Sequence, residues 1–270
     1  MQYIDVRRLT GPSLLWNKPG TILDVRCSGE EADRLIPFWD TKIRRMLNAV
    51  SWADESTCSW RLSEGVSLAF SAPIDALYAA SEINGWAWAC CDSEFNGANA
   101  QDFDETVERM RTEIAEEANP ELLKLEAAAE AHGIAFLSDD DEASVGLGTG
   151  SLTWPVREIP DPEELDWDSL HDIPAGLITG TNGKTSTVRL ATHIARASGK
   201  NVGLSSTDWI PVNARVIDSV DWSGPGGARI VLRQQDVDSG PLETEGGGLV
   251  GRVLGVMKTE AALMNQIAEN

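Results

Sequence analysis

Apolar residues return every three or four positions from Ala32 to Val50. Leu35, Ile36, Trp39, Ile43, Met46, Leu47 and Val50 share one broad face, and the pattern predicts a helix. Ahead of it, Tyr3-Ile-Asp-Val6 and Thr21-Ile-Leu-Asp-Val25 are strand-like runs set apart by the turn formers Thr10-Gly-Pro-Ser13 and Lys18-Pro-Gly20. A second apolar helix is expected over Ile74 to Ile83, with Gly85 as its stop and Trp86-Ala-Trp-Ala89 returning to strand. From Asp102 to His132 the pattern is helical and acidic, which reads as solvated helix faces. Asn119-Pro120 divides that stretch, because Asn caps a helix and Pro fits its first turn, and Gly133 ends it.

Ile134-Ala-Phe-Leu137 and the acidic run to Glu142 lead into Val145-Gly-Leu-Gly-Thr-Gly150. Its alternate glycines do not have the spacing of a dinucleotide-binding turn, and Trp154-Pro155 blocks a following helix, so a hairpin turn is predicted. Pro155 to Pro174 holds four prolines and seven acidic residues and reads as a linker. The expected organisation is a smaller α+β domain over residues 1–100, an acidic helical segment, hairpin and linker over 101–172, and an α/β nucleotide-binding domain over 173–270.

The pattern most tied to chemistry begins at Ala175. An apolar strand runs into Gly180, a turn reaches Gly183, and Lys184 opens a helix through Val188, Leu190, Ile194 and Ala197 that Ser198-Gly199 closes. Strand, glycine loop and helix in that order make a phosphate cradle, since loop N–H groups and the helix dipole face an anion. Gly180, Thr181, Asn182, Gly183, Lys184, Thr185 and Ser186 would line it. Lys184, the candidate catalytic residue, would place its charge on the outer phosphates, and the Thr185 hydroxyl would reach Mg²⁺.

Val202 to Ser206 is a second strand, and in doubly wound sheets ligands gather at such carboxyl ends. Ser206 or Thr207 would reach the metal there, while Asp208 reads equally well as a cap. Ser223 to Arg233 fits a cap and a short helix. Gly240-Pro-Leu-Glu243 is a third strand in which Pro241 would break a ladder bond. Glu243 closes it. On its own such a glutamate reads as a cap or surface charge, and only the motif order raises it to a magnesium ligand. The fold class expected is α/β, a phosphate-loop, doubly wound, mostly parallel sheet behind a smaller α+β domain.

Composition narrows the partners. Hydrophobic residues make up 42% of the 270, enough for a core, and 22 Lys plus Arg against 43 Asp plus Glu give a net charge of −21. That balance opposes nucleic acid and anionic lipid, so phosphate binding must be local. No apolar run is long enough to span a membrane, and the first residues lack an apolar signal core, so a cytoplasmic setting is expected. Cys27, Cys58, Cys90 and Cys91 suggest neither a disulfide framework nor a zinc site, and the tryptophans read as packing.

Gly180-Thr-Asn-Gly-Lys-Thr185 resembles the ATP-binding loop of the Mur ligase superfamily; the longer phosphate loop would need glycine where Ile178 stands. Gly224-Pro225, Val231-Leu-Arg233, Leu242-Glu-Thr244, Gly247-Gly248, Leu254-Gly255 and Ser206-Thr-Asp208 are similar to stations of the cyanophycin synthetase-like Mur ligases. Leu9-Thr-Gly-Pro12, Trp16, Arg61-Leu62 and Glu64-Gly65 resemble their N-terminal domain. Gly133-Ile134 and residues 145–150 resemble the lead-in to their ATP-grasp domain, for which there is no room.

The resemblance implies an ATP- and Mg²⁺-dependent ligase that joins an amino-acid or peptide substrate in an amide bond through an acyl phosphate. Gln266 replaces the family's Asn, and Ala268-Glu-Asn270 ends where the family continues with Asp-His. The chain is therefore expected to be a front portion, its expected partners being further copies of itself in a homo-oligomer or a partner chain that supplies the missing C-terminal domain. The alternative is a nucleotide-binding or assembly module without turnover. A small-molecule kinase or GTPase is disfavoured by the lack of an arginine-rich lid and of an Asn-Lys-x-Asp motif.

Overall fold

The computed structural model describes residues 1–13, 15–97, 102–180, 182–205, 210–212, 215–218, 225–243 and 261–265. It resolves a mixed α/β chain that divides into two compact units, Met1–Thr10 with Lys18–Pro120, and Gly11–Asn17 with Glu121–Asn270. Among the described residues, no helix is long and apolar enough to cross a membrane.

In the first unit, β1 (Gln2–Leu9), β2 (Gly20–Arg26), β3 (Thr57–Leu62) and β4 (Gly65–Ser71) form an antiparallel sheet in the order β1-β2-β4-β3. The predicted first helix is α1 (Gly29–Ala49), and it buries Ala32, Leu35, Trp39, Ile43, Met46 and Leu47 as the period required. A capping box starts it: the Ser28 hydroxyl accepts from the Glu31 N–H, while the Glu31 carboxylate accepts from the Ser28 N–H at 2.8 Å. The following α2 (Leu77–Asn96) packs on α1 and on β1 and β2.

Here the sequence expectation fails, since α2 runs straight through Gly85 and Trp86-Ala-Trp-Ala89. A mid-helix glycine costs only about 1 kcal/mol. Burial of Ala79, Ala80, Ile83, Ala87, Cys90 and Cys91 on one helical face outweighs that cost. Trp39 Nε1 donates to Asn84 Oδ1 at 2.9 Å, and Asn84 Nδ2 donates to the Leu68 carbonyl at 3.1 Å, so the buried polar centre of this core is paired.

The acidic stretch divides as predicted into α3 (Phe103–Glu117) and α4 (Pro120–His132), and Gly133 follows at φ +69°. Glu117 closes the first turn of α2, accepting from the N–H groups of Tyr78 at 3.0 Å and Ala79 at 2.6 Å.

In the second unit, β5 (Phe136–Ser138), β6 (Glu142–Val145) and β7 (Leu152–Pro155) form an antiparallel sheet, with residues 146–151 as the predicted connection between β6 and β7. Its glycines are explained by crowding. A Cβ on Gly148 would lie 2.3 Å from the Val237 carbonyl, and one on Gly150 2.3 Å from that of His171.

Next come β8 (Ala175–Gly180), α5 (Lys184–Ala197), the antiparallel pair β9 (Ile210–Val212) and β10 (Arg215–Asp218), α6 (Pro225–Leu232), β11 (Gly240–Glu243) and β12 (Ala261–Asn265). The sheet order is β11-β8-β12, all parallel. Val202 and Ser205 add single parallel bridges to Ser239 and Leu242. β11 therefore has neighbours on both sides despite Pro241.

Two cores flank this sheet. Leu177 and Leu242 pack with Ala228, Val231 and Leu232 of α6 and with Leu137 and Leu147. On the α5 side, Ile178 packs with Val188 and Leu204. Arg233, just past α6, clamps the β5–β6 turn. Its Nη1 donates to Asp139 at 2.6 Å and to Glu142 Oε2 at 3.2 Å, its Nη2 to the Glu142 carbonyl at 2.9 Å and its Nε to Ser144 at 3.2 Å.

Candidate functional site

The apolar run of β8 is fixed by cores on alternate sides, Leu177 toward α6 and Ile178 toward α5, which delivers the chain at Gly180 to the carboxyl end of the sheet. The turn then reaches Gly183 at φ +80°, a left-handed conformation natural to glycine. Gly183 is the N-cap of α5, where no side chain caps the helix and no acidic residue sits in the first turn. The N–H groups that point out of such an end, with the helix dipole behind them, favour an anion.

Asn182, Gly183 and Ser186 are exposed, and Lys184 and Thr185 are half-buried. The helix is anchored behind them by Val188 and by Thr187, whose N–H and hydroxyl both donate to the Gly183 carbonyl, at 2.9 and 2.8 Å.

The structure brings Asn182, Gly183, Lys184, Thr185 and Ser186 together on one turn. Glu243 closes β11 in register with Ile178 of β8, so its backbone reaches the carboxyl end of the same sheet. Only the backbone of Gly180 and Glu243 is described. Thr181 and Thr207 lie outside the described residues, as do Ser206, Asp208, Gly224, Thr244, Gly247, Gly248, Leu254, Gly255 and Gln266. Of the three candidate magnesium ligands, Thr185 is thus the one whose side chain is described. Among the described residues, no group of three His, Cys, Asp or Glu side chains could hold a metal.

Two residues that the sequence did not single out lie on the sheet that delivers this turn. Thr179 Oγ1, one residue before Gly180, and Ser205 Oγ, in the bridge segment beside β11, are buried with no hydrogen-bond partner. A buried hydroxyl without a partner costs about 1–3 kcal/mol, and such groups gather where a ligand or water completes them. The sequence shows only hydroxyls near the ends of two apolar runs; that they lack partners depends on their surroundings.

The Arg233 clamp sets the electrostatics on the far side of α6. Burial pushes the Asp139 carboxyl up. The Arg233 guanidinium and the backbone N–H groups of Glu142 and Asp141 more than offset that and hold it below the usual aspartate value.

No family model matches the chain. It is similar to the cyanophycin synthetase of Synechocystis sp., at 46% identity over 78 residues, which are 29% of this chain and 9% of that protein. Similarity to the cyanophycin synthetase of Geminocystis herdmanii is 38% over 98 residues, 36% of this chain and 11% of that protein. With the Trichormus variabilis cyanophycin synthetase, identity is 36% over 96 residues, again 36% of this chain and 11% of the relative. The matched stretch spans about a tenth of the length of these curated relatives. The chain therefore contains a cyanophycin synthetase-like region, for which the Mur ligase superfamily is a general fit.

Proposed function

We propose that this chain carries the ATP-binding part of a ligase that joins a carboxylate to the amine of an amino acid or peptide. The observation that carries the reading is the positive-φ turn at Gly183, which meets the uncapped N-terminus of α5 directly after β8. The similarity to proteins named cyanophycin synthetase supports the ligase class. The parallel order β11-β8-β12, with β8 between strands that enter from later in the chain, supports a phosphate-loop, doubly wound domain over 173–270. We assign residues 1–100 and 101–172 to an N-terminal domain and a connecting segment, and the protein to the cytoplasm.

The residues present fit a nucleotide triphosphate. Asn182, Gly183 and Ser186 are open to solvent, the helix end is uncapped, and the hydroxyls of Thr179 and Ser205 want partners. The N–H groups at Gly183 and beyond would bind phosphate oxygens, and Lys184 would neutralise the outermost group as a substrate carboxylate approaches. Thr181 would complete the loop. Thr185, Thr207 and Glu243 would hold Mg²⁺, whose charge, when bound, lowers the repulsion between phosphate and carboxylate. Holding the carboxylate, and then the amine, against the activated phosphoryl group is where positioning contributes to rate, and the amide forms as phosphate leaves. The test is phosphate release with Mg·ATP across amino acids and short peptides. Release that depends on both a carboxylate and an amine is expected, and release indifferent to every acceptor would refute the ligase reading.

A further inference from the structure

The outer side of α5 is unusual for this chain. Leu190 and Ile194, one helical turn apart, are 60% and 64% exposed, more than any other large apolar residue described. Ser186, His193 and Ala197 are exposed with them, so the positions i, i+4, i+7, i+8 and i+11 form one stripe along the helix. Arg189, Arg196 and Lys200 border it. From Lys184 to Lys200 there is no acidic residue, in a chain of net charge −21. A stripe that is apolar at its centre and basic at its border fits a partner that is apolar at its centre and acidic at its border.

This chain carries such a surface. On α4, Leu123 is 36% exposed and Ala127 and Ala131 are exposed behind it, at i, i+4 and i+8. Exposed Glu130 and half-buried Glu126 lie along one side of them, and exposed Lys124 along the other. We propose that the stripe of α5 docks against the α4 stripe of a second copy of this chain.

The two helices match in length, at 14 and 13 residues, so they can lie side by side over about 20 Å. Ala127, Ala131 and Ala197 let the axes approach closely while Leu190, Ile194 and Leu123 interdigitate. Arg189 and Arg196 would then face Glu126 and Glu130. Both stripes belong to the same unit, so each copy offers one of each, and the proposed pairing is the one in which both contacts form at once about a two-fold axis. The inference stands apart from the ligase reading, because docking requires no nucleotide.

Sedimentation of the full chain from about 1 to 100 μM tests it, with circular dichroism showing that each variant keeps its helices. A reversible dimer is expected, weakened by salt and weakened at least about tenfold by Ile194→Glu or by Glu126→Lys with Glu130→Lys. Ile194→Lys, which loses the same apolar contact but faces glutamates, should weaken it less than Ile194→Glu. A monomer at every concentration, a dimer that Ile194→Glu leaves intact, or a greater loss with Ile194→Lys would each overturn the proposal and leave the stripe to a different polypeptide.

Discussion

The antiparallel sheet of the first unit and the parallel sheet of the second treat their buried hydroxyls in opposite ways. In the first, Thr21 donates to the Arg7 carbonyl at 3.1 Å, Ser67 donates to Asp24 at 2.6 Å, and Ser71 is held by Glu55 and the Ser56 N–H. In the second, Thr179 and Ser205 have no partner. Hydroxyls that complete one another inside a fold serve stability, whereas hydroxyls left open at the end of a sheet are the kind a ligand or ordered water satisfies. The buried hydroxyls of the first sheet are completed within the fold, although Arg7 Nε on β1 is left without a partner, whereas Thr179 and Ser205 are left open.

That contrast can be broken, the largest effect first. Trp39 is fully buried and holds Asn84, so Trp39→Ala should cost about 3–5 kcal/mol in urea unfolding of the first unit. A loss below about 1 kcal/mol would mean that this core is loosely packed.

Arg233→Leu should cost roughly 2–3 kcal/mol, because it strands Asp139 and the Glu142 carbonyl. It should also change the acid limb. The folded Asp139 titrates below its ordinary value, so between the two values the unfolded chain binds more protons and stability rises with pH. The clamp is thus fully present above the ordinary aspartate range and is lost as pH falls through the lower, folded value. Glu117 has the opposite sign. Burial raises it more than its backbone hydrogen bonds lower it, so its contribution is greatest in acid and falls as pH rises through the raised value. Asp139→Asn should flatten the acid loss and Glu117→Gln should not. Equal effects of the two would remove the distinction.

The smallest test is the most specific. Thr21→Val should cost about 1 kcal/mol, whereas Thr179→Val, which deletes an unpaired hydroxyl, should be neutral or stabilising by a similar amount in the absence of ligand. If both destabilise equally, Thr179 has a partner after all.

Much of this was legible in the residues. The 3.6-residue period located α1 and most of its buried face, though the helix begins at Gly29 and Ile36 is only half-buried. Asn119-Pro120 with Gly133 marked the break between α3 and α4 and the end of α4. Gly183 and Lys184 placed the turn and the start of α5. What misled was local punctuation. Gly85 read as a stop and Trp86-Ala-Trp-Ala89 as alternation, yet the buried face of α2 overrode both. Pro241 was expected to break a ladder bond, yet β11 pairs with β8 and is bridged on its other side by Ser205. β12 went unseen because Ala261 to Asn265 is short and not strongly β-forming, and only its pairing with β8 makes it a strand. Thr179 and Ser205 were missed because an unpaired hydroxyl is a property of surroundings, which no local pattern encodes.

The most direct measurement is calorimetry of Mg·ATP with the unaltered chain and with Lys184→Ala, both checked for intact helices. Saturable binding that the substitution abolishes is the predicted result. Equal affinity in the two proteins, or none in either, would contradict a phosphate site at the head of α5.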